Sequence, residues 1–133
     1  MVWAACGEQP VGPSPGGQRP TPAQTAQRVQ DGMPWQPAVR ELLDGLLAGA
    51  PIDEQEPVRV APRFDAYLAA VVEHISAARG AAAPGWVKAP TRFLPTFWWP
   101  DGNPAFTATC LVQSPAAFRR RGIFIGATTL SRV

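Results

Sequence analysis

Lysine is almost missing from this 133-residue chain: Lys88 stands alone against eleven arginines. Acidic residues run out after residue 80, where Asp101 is the single carboxylate facing six Lys/Arg. Cysteine occurs only as Cys6 and Cys110, too far apart to suggest either a disulfide framework or zinc-ligand spacing. One histidine, His74, gives no second imidazole for a metal cluster, and no Ser or Cys motif or carboxylate pattern marks a catalytic partner for it. No stretch approaches the roughly 18 apolar residues of a membrane helix. The residues therefore predict no catalytic centre, no metal and no cofactor, and they place the chain away from the membrane, in the cytoplasm.

Proline and glycine are abundant instead, at sixteen and twelve residues. Many fall before Trp35, where MVWAACGEQPVGPSPGGQRPTPAQTAQRVQDGMP shows no apolar periodicity. Such a stretch buries too little surface to offset its ordering entropy, so residues 1–34 are expected to be a disordered leader. Trp3-Ala4-Ala5-Cys6-Gly7 resembles the end of a lipoprotein signal, yet five residues before Cys6 are fewer than the about 7 to 15 apolar residues such a signal needs. The remainder, residues 35–133, has the length of one small domain.

Within it the helical period is clear. Val39, Leu42, Leu43, Leu46 and Leu47 predict an amphipathic helix over 36–48, with Pro37 in its first turn and Gly49 and Pro51 after it. Phe64, Tyr67, Leu68, Val71, Val72 and Ile75 predict the strongest helix, over 62–79, with Arg63, Asp65, Glu73 and Arg79 mostly off the apolar stripe and Gly80 closing it. Residues 105–112 are apolar enough to be buried, and their period fits helix or strand. Ser114 and Pro115 provide an N-cap and an N1 proline for a short helix over 116–121, and Gly122 ends it. Ile123-Phe124-Ile125 then reads as a buried extended run. The expected fold is mainly α: a small single-domain helical bundle with a short extended C-terminal segment.

Charge is unevenly spread. Residues 31–80 hold eight Asp/Glu against four Arg, whereas residues 81–133 carry a net charge of +5. That asymmetry fits two halves that attract each other on folding, or a basic surface for an acidic partner. Two features offer such a surface. Trp86, Phe93, Phe97, Trp98 and Trp99 crowd a segment broken by Pro90, Pro95 and Pro100, and either fill the core beneath the two helices or form a patch that a partner covers. Arg119, Arg120 and Arg121 either complement the end of a helix dipole or fork onto the carboxylates or phosphates of a ligand.

The wording Arg63-Phe64-Asp65-Ala66-Tyr67-Leu68-Ala69-Ala70, Glu73-His74, Arg92-Phe93-Leu94 and Ser114-Pro115-Ala116-Ala117-Phe118-Arg119-Arg120-Arg121-Gly122-Ile123-Phe124-Ile125, with Pro34-Trp35 ahead of it and Trp86 and Trp98 within it, resembles a small, largely uncharacterised actinobacterial family. Members of that family look like antitoxin-type partners of nucleotidyltransferase-type toxins encoded beside them. Abundant alanine and scarce lysine fit a GC-rich source of that kind. The resemblance implies a helical protein, not an enzyme, that binds and neutralises a toxin. Arg119, Arg120, Arg121, Trp86, Trp98 and Trp99 are the candidate partner-binding residues. The alternative is a nucleic-acid-binding regulator that sets the same arginines on phosphates.

Overall fold

In the computed structural model the described residues are 20–100 and 113–126. The fold over them is mainly helical. Helix α1 spans Pro22–Gln30, α2 Trp35–Leu47, α3 Pro62–Ala78 and α4 Ala116–Arg119, and two 3-10 turns, Gly85–Lys88 and Pro90–Arg92, lie between α3 and α4. No described helix is long and apolar enough to cross a membrane. The apolar run over 105–112 lies outside the described residues, as does the leader over 1–19.

Helix α1 corrects the expectation of a leader without structure through residue 34. Thr21 caps it by accepting from the Gln24 N–H, the Gln24 side chain accepts from the Thr21 N–H in return, and Pro22 stands at its start. Pro22, Thr25 and Ala26 are buried against α2, with Val29 packed on the core behind them. The capping box was present in the sequence. Its weakness as a signal lies in the buried stripe, built of small residues that register poorly as apolar period.

The two predicted core helices form within a residue of their expected bounds. Helix α2 buries Val39, Leu42, Leu43 and Leu46 on one side, as a surface helix should. Helix α3 is different: every residue from Phe64 to Val72 is buried, so it runs through the middle of the molecule with α2 and α4 packed against it. Its alanines, Ala66, Ala69 and Ala70, let neighbours approach on the sides that carry no large apolar residue. Asp65, expected off the apolar stripe, is buried too. Its carboxylate accepts from the Val60 and Ala61 N–H groups at 2.9 and 3.4 Å, satisfying donors where the chain enters α3.

After α4 the chain is extended. Trp98 and Ile123 form a parallel β-bridge, in which the Trp98 N–H donates to the Gly122 carbonyl at 2.8 Å and the Phe124 N–H donates to the Trp98 carbonyl at 3.0 Å. Gly122 makes the turn that starts this segment. Its φ of +80° is left-handed, and a Cβ there would stand 3.3 Å from the Thr96 carbonyl oxygen. Ser114 does not cap α4 as expected. Pro115 occupies the cap position, and the Ser114 hydroxyl instead turns to Ile125, donating to its carbonyl at 3.1 Å and accepting from its N–H at 2.8 Å.

Candidate functional site

The three arginines expected to serve a partner have three different fates. Arg121 is fully buried. Its guanidinium donates to the Val87 carbonyl at 2.6 Å, to the Ala117 carbonyl at 2.9 Å and to the Glu73 carboxylate, and lies 4.5 Å from the centre of the Phe93 ring. Arg120 is exposed but pairs with the same carboxylate, so Glu73 of α3 clamps both residues to the central helix. Arg119 is exposed and has no acidic partner among the described residues. Burial draws the Arg121 guanidinium below its ordinary range, and its hydrogen bond to Glu73 and the attraction of that charge oppose the shift. Arginine remains a cation under such a shift because its intrinsic basicity is so high.

Arg92 is a second buried guanidinium, which the sequence did not flag. It donates to the Pro57 carbonyl at 2.8 Å and the Asp65 carbonyl at 3.4 Å, stands 3.8 Å from Glu56, and lies 4.9 Å from the centre of the Trp86 ring. Burial lowers its basicity, while Asp65 and then Glu56 raise it. The two arginines form a reciprocal lock on the 3-10 turns. Arg121 takes the carbonyl next to Trp86 and the ring next to Arg92, while Arg92 takes the ring of Trp86 itself. The turns close their own N–H groups, with Val87, Ala89, Arg92 and Phe93 donating to Pro84, Trp86, Ala89 and Pro90, and the forked side chains tie them to the rest of the fold: Arg121 takes the Val87 carbonyl, and Arg92 reaches out to the carbonyls of Pro57 and Asp65.

The aromatics divide as well. Trp86 is buried, and Trp98 packs on the core in a cluster with Trp35 and Tyr67, with ring centres 5.8 and 6.2 Å from it. Residues 97–99 are extended, so successive side chains point to opposite faces. Trp98 therefore turns inward with Ile123 and Ile125, and its neighbours turn outward to meet Phe124. Phe97 sits edge-on to Phe124 at 5.2 Å and to Trp99 at 6.3 Å, and Trp99 stacks on Phe124 at 5.0 Å. Phe97 is 67% exposed, the largest value for a big apolar side chain among the described residues. A separate open groove of about 360 Å³ lies between α2 and α3, lined by Trp35, Val39, Leu43, Tyr67 and Pro100, with Arg40 beside it.

Of the six residues expected to meet a partner, the fold thus buries Arg121 and Trp86, ties Arg120 to Glu73, half-buries Trp98 and Trp99, and leaves Arg119 open. Phe97, not among the six, is the most exposed aromatic among the described residues. Period-two alternation between Pro95 and Pro100 was the signal that could have found it. His74 is half-buried near Phe118, and desolvation lowers its basicity. No group of three or more His, Cys, Asp or Glu among the described residues is placed to hold a metal ion. Set beside known proteins, the chain matches no family model, no curated protein and no solved structure.

Proposed function

We propose that this chain is a protein-binding domain of antitoxin type, which acts in the cytoplasm by covering and neutralising a toxin enzyme of the nucleotidyltransferase kind. The family resemblance suggests the role. The observation that carries the binding reading is Phe97, exposed and backed by the half-buried Trp99 and the buried Phe124, since a large exposed aromatic braced by other rings is a frequent mark of an interface. No step of catalysis by this chain enters the reading. Co-expression with the product of the adjacent gene tests it: a stable complex and relief of growth arrest are expected, and separate purification with no effect on growth would end it.

The nucleic-acid reading draws less support. It asked for three phosphate-binding arginines, and Arg121 and Arg120 are committed to Glu73. A duplex or strand held mainly by charge needs several neutralised phosphates, and its affinity falls steeply with salt. Arg119 alone offers little of that.

A further inference from the structure

Nine residues make too short a helix to hold its shape in water by propensity alone, so α1 depends on what it packs against. That support is chiefly α2. Arg28 of α1 pairs with Glu41, which marks the side of α2 that meets it, and Ala38 and Gly45 stand on the same side, one turn before and one turn after. The face that α1 offers in return is Pro22, Thr25 and Ala26, with Val29 partly buried. Small side chains on both helices let the backbones approach, but they withdraw little apolar surface from water, and that surface is what holds such a contact together.

The polar groups of the contact add little to it. Both side chains of the Arg28–Glu41 pair are about half exposed, where solvent and salt screen an ion pair. Among the described residues the Thr25 hydroxyl is buried with no hydrogen-bond partner, so closure removes its water without replacing the lost bond. Helix α2 does not rely on α1 in turn. Its Val39, Leu42, Leu43 and Leu46 belong to the core cluster around α3, and Arg79, just after α3, donates to the Leu46 carbonyl at 2.6 Å. The two helices are joined by the short link Asp31 to Pro34, in which Gly32 holds a φ of +115°.

We propose that α1 is a strap built into this fold: it opens and closes as a unit about residues 31–34 while α2, α3 and α4 stay folded. Closed, it covers the side of α2 that carries Ala38, Glu41 and Gly45; open, it leaves that side bare. The inference uses the packing of α1 alone and stands whether or not the chain binds a toxin. Opening hydrates the Thr25 hydroxyl and frees the helix from its order, and both effects offset the small apolar area lost. A ligand of α1, or of the α2 side beneath it, shifts the balance by the difference in its affinity for the two states. The strap is therefore a point at which the domain can be regulated without unfolding its core.

Amide hydrogen exchange of the full chain, followed residue by residue at several low urea concentrations, tests this. The helical amides from Thr25 to Asp31 should be protected and should exchange together, about a hundredfold or more faster than those of Leu68 to Val72 in α3 once intrinsic rates are removed. Their dependence on urea should be weak, because the opening exposes little surface. Val71→Ala, a truncation at the centre of α3, should speed the α3 amides about tenfold or more and leave the α1 amides where they were, since α3 is intact in both states of the strap. Thr25→Val keeps the shape and deletes the unpaired hydroxyl, and should slow the α1 amides about tenfold. Exchange of α1 and α3 with one rate and one urea slope would overturn the proposal, because the helix would then open only with the whole domain. Equal acceleration of both sets by Val71→Ala, α1 amides with no protection at all, or no slowing by Thr25→Val would each overturn it as well.

Discussion

Replacing Arg121 by methionine separates a structural cation from a binding one. The side chain is fully buried, and methionine keeps much of its volume while removing every donor. The Val87 and Ala117 carbonyls then lose their partner in the interior, each at about 1–3 kcal/mol. Glu73 keeps Arg120, so its charge is not stranded, and the loss stays near the low end of the about 3–5 kcal/mol typical of a broken buried ion pair. A loss of about 3 kcal/mol should lower the melting temperature by at least about 10 °C in a domain of this size. Urea unfolding followed by tryptophan fluorescence reads the same quantity, because Trp86 and Trp98 are in or against the core. Arg119→Met provides the control, since an exposed residue with no acidic partner among the described residues should change stability by no more than about 0.5 kcal/mol. Equal, small effects of the two substitutions would refute the placement of Arg121 as an internal cross-link and return it to the surface role that its sequence suggested.

Gly122→Ala should cost about 1–3 kcal/mol in thermal unfolding, because alanine resists a φ of +80° and its Cβ would press on the Thr96 carbonyl. Gly85→Ala has open space and no left-handed strain, and should differ little from the unsubstituted chain. Ser114→Ala should lose about 1–3 kcal/mol by leaving the buried Ile125 N–H and carbonyl unpaired, and hydrogen exchange at the Ile125 amide should quicken. His74 has a folded pKa below its ordinary value of 6.5, through desolvation, so the unfolded chain binds the proton more readily. Stability should therefore hold above the unfolded pKa and decline as pH falls through it towards the folded one, and His74→Gln should flatten that decline in a series of melting curves.

Helices α2 and α3 were legible in the sequence because a 3.6-residue apolar period is a local property, and Gly49 and Gly80 marked their ends without reference to anything else in the chain. Helix α1 was missed although Thr21, Pro22 and Gln24 spelled its start, since the buried face of Pro22, Thr25 and Ala26 carries little apolar signal. Ser114 shows a different limit. Its position before Pro115 fits a cap, yet the competing acceptor and donor of Ile125 lie eleven residues away and become available only when the C-terminal segment folds back.

The candidate site was the least legible part, for the same reason. Arg119, Arg120 and Arg121 are identical as letters, and what distinguishes them is the angle at which each leaves the last turn of α4 relative to Glu73 and the Val87 carbonyl. Arg92 is hidden in the same way by carbonyls at Pro57 and Asp65. By itself the sequence determined a mainly helical domain, the stops of its helices and the acid-poor character of its C-terminal part, because composition and short-range period carry that information. Tertiary structure alone decided which guanidiniums are internal and which aromatics face outward, because burial of a polar or aromatic group depends on partners brought together from distant segments.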